Sequence, residues 1–340
     1  MSNCNNLFHD FNQNLNITKT KKENLMISKN NIRKTIKEWF KEHHPDYVPK
    51  FFIQGSRKLG TLIRTKDDTC DLDDGVYFER EIGVTGTTLQ NWVYDAVNDV
   101  THANTIHKSK CIRIIYAGDY HIDIPVYYFP KGEAHPLLAI KDSELELSDP
   151  KEFIEWYNTI KCDQLTRIIK YLKSWGDNLR DKMPNGLAFT VLASRNLVED
   201  DRDDVSFYKT LKAIRADLKS NFICVMPTTP EDDLFSKYEK NRIDSFFEKL
   251  DALIEDGKTA IYDEDNQLKS SKKWKKHLGD RFPDGLDEST EEKEEALLEA
   301  ARTILAGKVG IDSKGRIKPK EECKIHNKPH RFYGGTRNDS

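Results

Sequence analysis

Two aspartates separated by one residue, Asp71 and Asp73, lie in the segment CDLDDGVYF at residues 70–78. Side chains at positions i and i+2 of a strand point to the same face, so a strand here would hold two carboxylates side by side. Two like charges on an otherwise apolar strand repel each other and lose hydration, which is costly unless a cation compensates them. Mg²⁺ binds one or two carboxylates together with substrate phosphates. The pair therefore predicts phosphate chemistry.

A third acid, Asp123, lies alone in the apolar segment IDIPV at residues 122–126. Alternation along a strand puts its apolar neighbours on one face and Asp123 on the other. An acid inside an apolar strand must be paired or bound to a metal, and a structural ion pair is the alternative to a metal. For the first two acids, Asp74-Gly75 offers a competing turn, which would put the pair in a hairpin loop.

A Gly55-Ser56 turn follows the strand-like segment KFFIQ at residues 50–54 and precedes Gly60-Thr61. Glycine lets backbone N–H groups approach an anion, and the serine hydroxyl adds one more donor. A strand followed by Gly-Ser is common by chance, but an acidic pair on the next strand makes phosphate binding the better interpretation. Three carboxylates then offset much of the charge of two divalent cations, which is what two-metal phosphoryl transfer requires.

The elements that would position these groups lie in the first 130 residues. Alternation and turn signals predict strands over residues 50–54, around 71–78, over 111–116 and over 120–129, with a hairpin turn at 117–119. Apolar residues at helical spacing predict helices over 27–43 and 88–103. We expect a small sheet with helices on one side. The first ~20 residues are expected to fray or pack loosely.

Helices dominate the sequence from Pro150 onward. Helical spacing and boundary signals predict six of them, over residues 150–160, 163–180, 187–197, 205–221, 238–255 and 289–306. The stretch from Asp263 to Glu295 is densely charged with little apolar content. Such a composition is typical of a mobile surface connection or an exposed helix start.

Composition bounds the class of protein. A hydrophobic fraction of 37% in 340 residues is enough to fill a core. A formal net charge of −3 gives no basic surplus for long nucleic acid and favours small nucleotides. Six cysteines without a C-x-x-C pair argue against a zinc site or a disulfide framework. No apolar run approaches the ~20 residues of a membrane span, and the N-terminus lacks an apolar signal core, so we predict a soluble cytoplasmic protein without a membrane partner.

The chemical groups fall into three motifs: GSRKLGT at residues 55–61, DLDDG at 71–75 and IDIP at 122–125. Three helical-half segments accompany them: RIIKYLKSW at 167–175, MPNGLAFTVL at 183–192 and PTTPEDDL at 227–234. Over residues 30 to 250 the sequence thus resembles the bacterial cGAS/DncV-like nucleotidyltransferases (CD-NTases), within the polymerase-β-like nucleotidyltransferase superfamily. The acidic triad is shared across the superfamily, whereas the Asp-Asp-Gly extension and the helical segments indicate the narrower group.

The resemblance implies an α+β fold with two lobes. A polymerase-β-like nucleotidyltransferase lobe, with a mixed twisted sheet and the N-terminal helix, would span residues 1–145. A helical lobe with a flexible C-terminal tail would span residues 146–340, and the active site would lie in the cleft between them. The implied enzyme is a cyclic oligonucleotide synthase, and the family tendency favours a purine-containing cyclic dinucleotide. It would join nucleoside triphosphates such as ATP and GTP, release pyrophosphate and make a second messenger in anti-phage (CBASS) defence.

The catalytic roles carry over to matching positions. Asp71 and Asp73 would bind two Mg²⁺ ions, with Mn²⁺ as an alternative metal. Asp123 would help to hold the catalytic metal and to activate the attacking ribose hydroxyl. Gly55 and Ser56 would bind the donor triphosphate.

Four further side chains are candidates for nucleotide contacts. Lys173 matches a helix lysine that reaches the donor phosphates in this family, with a solvated helix lysine as the alternative. Arg113, on the strand before Asp123, could reach a base or a phosphate, or form a plain ion pair. Gln54 lies next to the glycine-serine turn. Asn185 stands in a polar turn where family members offer a hydroxyl.

Two other functions share many of these residues. A linear nucleotidyltransferase acting on RNA 3′ ends or on a protein hydroxyl would use every catalytic residue. RNA would need a long basic groove, however, and Lys272–His277 is the only dense basic run. A catalytically dead scaffold or nucleotide sensor would not need all three acids. At the C-terminus, Tyr333–Thr336 could be a handle for a regulatory or conjugating partner, with a frayed terminus as the alternative.

Overall fold

The computed structural model describes residues 1–101, 105–116, 118–179, 182–312 and 316–322. Within these ranges the α-helices are α1 (Asn5–Asn14), α2 (Lys19–His43), α3 (Gly55–Leu59), α4 (Gly86–Val97), α5 (Pro150–Ile160), α6 (Asp163–Leu179), α7 (Gly186–Asn196), α8 (Asp203–Ser220), α9 (Lys240–Lys258), α10 (Gln267–Leu278) and α11 (Thr290–Leu305). A π-helical turn, Thr259–Asp263, follows α9.

The strands are β1 (Pro49–Gln54), β2 (Asp71–Phe78), β3 (Ile106–His107), β4 (Ile112–Tyr116), β5 (Tyr120–Ile124), β6 (Val126–Tyr128), β7 (Leu137–Leu138), β8 (Glu146–Leu147), β9 (Val309–Ile311) and β10 (Ile317–Pro319). Strands β1 to β8 form one mixed sheet, and β9 and β10 form a separate antiparallel pair. A sheet in the first half followed by helices is the predicted α+β order.

Strand β2 lies at the centre of the sheet. Strand β1 pairs antiparallel with one edge of β2, and β5 and β6 pair parallel with the other. Strands β5 and β6 keep one register, because Asp71 pairs with His121 and Phe78 pairs with Tyr128. The two short strands are therefore one extended segment interrupted at Pro125, as the prediction over residues 120–129 expected.

Alternation along β2 sorts its side chains between two environments. Leu72 and Val76 are fully buried in an apolar cluster with Ile32 and Ile36 of α2 and Val93 of α4. Asp71 and Asp73 occupy alternate positions and therefore lie on the opposite face. This apolar face, covered by helices, fixes which way the acidic face must point.

Helix α1 corrects one prediction. The first ~20 residues were expected to fray, but Phe8 and Phe11 are 0% exposed. Their rings pack edge-to-face or stacked against Tyr171, and Phe8 also meets Trp274. The prediction of fraying is wrong because these aromatics fill the core of the helical half. The division at residue 145 remains a prediction, although α1 contacts α6 and α8.

Helix α10 corrects a second prediction, since it lies within the charged stretch expected to be a mobile surface connection or an exposed helix start. Trp274 and Leu278 on α10 are fully buried. The rest of the buried stripe is polar and consists of Gln267, Ser270, Ser271 and His277. The two serine hydroxyls donate to the backbone carbonyl oxygens of Asn266 and Leu268. A search for apolar residues at helical spacing therefore does not detect this helix.

In the described part of the chain, no helix is both long enough and apolar enough to cross a membrane. The Tyr333–Thr336 segment lies outside the described residues.

Candidate active site

The sheet brings the three aspartates together. Asp73 on β2 and Asp123 on β5 are direct partners across a parallel pair of strands. Neighbouring strands lie about 4.8 Å apart, and register partners share a face. Asp71 lies two residues before Asp73 on that same face. Three carboxylates from two separate segments thus share one side of the sheet, as the motif predicted.

Each carboxylate has a different environment. Asp71 is half exposed, and its Oδ1 lies 3.2 Å from Nδ1 of His121. Asp123 accepts two hydrogen bonds from Arg113, at 2.7 and 2.6 Å. These hydrogen bonds raise the pKa of Arg113. The ion-pair alternative for Arg113 is therefore the contact that the structure shows.

Asp73 differs from both. Among the described residues, no hydrogen bond or ion pair reaches its carboxylate. Burial, together with the negative charges of Asp123 and Asp71, raises its pKa to about 7. A divalent cation would relieve both effects at once, because it replaces lost hydration and offsets the repulsion.

Asp74 points away from this group. It lies inside β2, paired with Ile53 of β1, so the alternative that Asp74-Gly75 forms a hairpin turn is wrong. Its carboxylate is 0% exposed on the other face of the sheet and accepts a hydrogen bond from Nε of Arg33 at 2.7 Å. A complete ion pair neutralises Asp74.

The Gly55-Ser56 turn lies directly against Asp73. Gly55 begins α3 with φ +60°. A Cβ built on Gly55 would lie 2.0 Å from Oδ2 of Asp73, a distance that no side chain tolerates. Glycine is therefore required here both for its backbone conformation and for the close approach of the carboxylate.

Lys173 of α6 enters the same region from the helical half. Its Nζ donates a hydrogen bond to the carbonyl oxygen of Thr61 at 2.9 Å. Burial lowers its pKa to about 8, although the charges of Asp73 and Asp71 favour the protonated form. The alternative of a solvated helix lysine is wrong, because the side chain reaches from α6 to the segment after α3, and burial there removes its ammonium from solvent.

A cavity of about 200 Å³ opens between the two halves. The sheet half contributes Ser56 and Asp71, and the helical half contributes Lys173 and Gly186. The helical half also contributes Asp177, so carboxylates of both halves and the ammonium of Lys173 line the cavity. Charged groups of both signs at one cavity suit a nucleoside triphosphate with its cations.

The two amide candidates are committed to protein partners. Gln54 is 7% exposed and hydrogen-bonds the hydroxyls of Tyr77 and Tyr127. Asn185 caps α7, because its Oδ1 accepts the N–H of Ala188 at 2.9 Å. Contact of either amide with a nucleotide remains a prediction.

The donor set fits a hard divalent cation. Carboxylate oxygens are the ligands that Mg²⁺ and Mn²⁺ take in proteins, and Asp73, which has no ion pair within the described part of the chain, lies between Asp71 and Asp123. The pair on β2 and the acid on β5 would hold the ion from two sides.

A second group of metal-ligand types, His135, Asp149 and Glu152, has ligand atoms within 4.8 Å of one another. Its oxygens already have partners. Asp149 caps the start of α5, and Glu152 accepts the N–H of Thr229 at 2.9 Å. Nδ1 of His135 lies 3.0 Å from Asp149. This group joins the sheet half to the segment before α9.

Sequence reasoning missed one contributor to the site, His121, and one ion pair on the opposite face of β2. His121 lies two residues before Asp123 on β5 and therefore shares its face, where it meets Asp71. The His-x-Asp spacing on a strand was the available signal. Arg33 was missed because its partner, Asp74, is 41 residues away in sequence.

Comparison with known proteins agrees with this geometry. Residues 49–127 match the family described as the nucleotidyltransferase domain of cyclic GMP-AMP synthase DncV-like proteins. A curated cyclic GMP-AMP synthase of Escherichia coli is 26% identical in an alignment that covers 43% of this chain and 47% of that protein. The chain thus spans about half the length of the curated relative that it matches.

Solved structures extend the likeness across most of the chain. The apo form of Vibrio cholerae DncV gives a TM-score of 0.71 at 22% identity, covering 83% of this chain and 96% of that one. The same protein in complex with the linear intermediate 5′ pppA(3′,5′)pG gives 0.69 at 22% identity, covering 81% and 97%. These likenesses show the fold. The predicted resemblance and the polymerase-β-like α+β fold are confirmed.

Proposed function

We propose that the chain is a cyclic dinucleotide synthase that uses purine nucleoside triphosphates, releases pyrophosphate and makes a second messenger for anti-phage defence in the cytoplasm. One observation carries the proposal. The carboxylate of Asp73 lies in register with Asp123, beside Asp71, and against the Gly55 turn. Nucleotidyl transfer needs a turn that binds phosphate in contact with carboxylates that bind divalent cations, and both are present here.

The chemistry follows from the placement of these groups. Mg²⁺ ions held by Asp71, Asp73 and Asp123 would neutralise the triphosphate and lower the pKa of the attacking ribose hydroxyl. The Gly55-Ser56 turn holds the donor phosphates, and Asp123 accepts the hydroxyl proton. The hydroxyl oxygen bonds to the α-phosphorus as the bond from that phosphorus to the bridging oxygen breaks, and pyrophosphate leaves.

Lys173 completes the charge balance. Its ammonium lies beside the acidic face and lines the cavity together with Ser56. We assign it to the phosphates of the donor, because within the described ranges its Nζ hydrogen-bonds a backbone carbonyl oxygen and forms no direct ion pair with an acid. A bound triphosphate would stabilise its protonated form.

Ring closure requires a second transfer in the same cavity. A DncV structure holds the linear intermediate 5′ pppA(3′,5′)pG. By analogy, the linear product here would turn within the cavity, so that its 5′ triphosphate becomes the donor and its free ribose hydroxyl becomes the acceptor.

RNA as the acceptor has less support. The basic run Lys272–His277 lies on α10, where Lys275 pairs with Asp284 and Lys276 pairs with Asp256. His277 also meets Asp256. Paired charges contribute little to phosphate binding, so this run does not form the basic groove that RNA would need.

The test is product formation from all four nucleoside triphosphates with Mg²⁺, followed by phosphatase and mass spectrometry. The proposal expects a phosphatase-resistant cyclic product, absent with a chelator and absent for Asp71→Asn. Label transferred to RNA or to protein would support the linear alternative. No turnover of any nucleotide, by protein that is folded, would contradict both.

A further inference from the structure

The side-chain amide of Gln54 joins three elements of the sheet. Gln54 is the last residue of β1, directly before Gly55. Its Nε2 donates to the Tyr127 hydroxyl at 3.0 Å, and its Oε1 accepts from the Tyr77 hydroxyl at 3.1 Å. Both ends of the amide are therefore held by the protein, at a position 7% exposed.

The two tyrosines form a rigid support for this amide. Tyr77 of β2 and Tyr127 of β6 are register partners, and their rings stack with centroids 4.5 Å apart at an interplanar angle of 8°. Both are 2% exposed. Stacked, buried rings have little rotational freedom, so the two hydroxyls present a fixed pair of hydrogen-bond partners.

Gly75 makes room for the amide. A Cβ built on Gly75 would lie 2.6 Å from Oε1 of Gln54 and 2.9 Å from the ring of Tyr77. Glycine inside a strand weakens it and marks a place where another group approaches closely. The glycine of the DLDDG motif is thus explained by Gln54.

The residues next to this network form the candidate active site. Gln54 is the register partner of Asp73, and the following Gly55 is the residue whose added Cβ would meet Oδ2 of Asp73. The amide therefore fixes the β1 backbone at the point where the phosphate-binding turn begins.

We propose that Gln54 is a positioning residue for nucleotidyl transfer. Gln54 is held by Tyr77 and Tyr127, and it fixes the distance between the Gly55-Ser56 turn and the carboxylate of Asp73. This distance in turn determines the position of the donor phosphates relative to the cation. The inference rests on the proposed function, and it replaces the nucleotide contact that the sequence suggested for Gln54.

The proposal predicts an effect on turnover more than on nucleotide affinity. A turn displaced by about 1 Å still binds phosphate through its N–H groups, but it misaligns the reacting atoms and slows the reaction about 10²-fold. Direct contact of Gln54 with the nucleotide would instead raise KM.

The experiment compares Gln54→Met, which keeps the shape but loses both hydrogen bonds, with Tyr127→Phe and the double variant. We expect kcat to fall ~30- to 100-fold in Gln54→Met and ~3- to 10-fold in Tyr127→Phe, with KM for the triphosphates within ~3-fold. The double variant should be no slower than Gln54→Met, because both changes break one network.

Tyr128→Phe is the matched control. Tyr128 is the next residue on β6 but faces the opposite side, where its hydroxyl bonds the backbone of Val84. It loses a buried hydroxyl contact of the same kind, so general destabilisation would appear in it as well. We expect its kcat to be unchanged.

Hydrogen–deuterium exchange of the backbone amides at residues 55–60 gives a readout that needs no activity. Exchange should accelerate in Gln54→Met and Tyr127→Phe and stay unchanged in Tyr128→Phe. Each of three results would overturn the proposal. The first is unchanged exchange in Gln54→Met. The others are a double variant whose fall in kcat equals the product of the two single falls, and a raised KM with normal kcat in Gln54→Met. Absence of any product from the wild-type protein would overturn the proposed function instead, and the exchange result would still decide the role of Gln54.

Discussion

Asp73 and Asp74 are neighbours in sequence and occupy opposite environments. On one face of β2, Asp74 is fully buried, and the guanidinium of Arg33 neutralises it through two hydrogen bonds. On the other face, Asp73 lies between Asp71 and Asp123 without a hydrogen-bond or ion-pair partner among the described residues. The fold supplies a cation, the Arg33 guanidinium, for Asp74. The cation for Asp73 has to come from a bound metal or ligand.

The difference separates a structural acid from a site acid. Both are enclosed by the sheet, so burial alone does not distinguish them. What distinguishes them is the cation. A carboxylate whose repulsion is unrelieved within the fold is destabilising, and such groups cluster where a ligand or metal relieves them. The contrast between Asp73 and Asp74 predicts the following effects, from the largest to the smallest.

The largest effect is expected for Asp73→Asn. Loss of the charge that holds the cation should lower kcat/KM about 10³-fold or more, because the triphosphate and the departing pyrophosphate lose their neutralisation. Product formation measured by mass spectrometry checks it. Asp74→Asn is the control, and activity per folded molecule should stay within ~3-fold of the wild type. Equal losses in both variants would remove the distinction between the two faces.

Lys173→Met is expected to have the next largest effect. Lys173 is the cation beside the Asp73 face, and its Nζ is held by Thr61 instead of by an acid. Its removal should lower kcat/KM about 10²-fold, mainly through a higher KM for the triphosphate. Lys170→Met on the same helix is the control, because Lys170 faces Asn12 and Asn16 of the α1 region. Steady-state kinetics in which the two variants lose equally would argue against a phosphate role.

The two substitutions should change the free energy of unfolding in opposite directions. Asp74→Asn leaves Arg33 without its charge partner and should lower the free energy of unfolding by about 2–4 kcal/mol. Asp73→Asn should raise it by about 1–3 kcal/mol at pH 8 without divalent cations. The raised pKa of Asp73 means that the folded state binds this proton more tightly than the unfolded state. The destabilisation therefore grows as pH rises from about 4 to 7, and the gain should be smaller at pH 5.

Denaturant unfolding of both variants at pH 5 and pH 8 measures these changes. A loss of stability in Asp73→Asn at pH 8 would show that its carboxylate is already compensated within the protein.

The smallest expected effect is the change with pH in the Mg²⁺ concentration that gives half-maximal activity. Because the pKa of Asp73 is about 7 without a cation, protons compete with the metal below that value. Lowering the pH from 8 to 6 should raise the Mg²⁺ concentration for half-maximal activity about 10-fold, and raising it from 8 to 9 should change little. A Mg²⁺ requirement that is flat between pH 6 and 8 would contradict this titration.

The sequence was sufficient for the acidic face and for most elements. The Asp-x-Asp pair, the lone Asp123 and the glycine-serine turn are local patterns, and strand alternation alone sends their side chains to one side. Helices α5 to α9 carry apolar stripes or clear boundary signals, and each predicted helix there lies within a few residues of its observed bounds.

What the sequence could not show depends on partners far away in the chain. Arg33 neutralises Asp74 across 41 residues, and Phe8 meets Trp274 across more than 200, so neither position reveals its role locally. The ion pair of Arg113 with Asp123 was one of two open alternatives, and only the antiparallel register of β4 and β5 makes them partners. Short strands such as β7 and β8 have too few residues to show a period.

The central claim is that Asp73 is a carboxylate kept for a metal-bound nucleotide. Calorimetric titration of Mg²⁺ into the protein with a saturating non-hydrolysable ATP analogue tests it most directly, comparing the wild type, Asp73→Asn and Asp74→Asn. We predict that the wild type and Asp74→Asn bind about two ions per chain and that Asp73→Asn loses this binding. Equal Mg²⁺ binding by Asp73→Asn and the wild type would contradict the account.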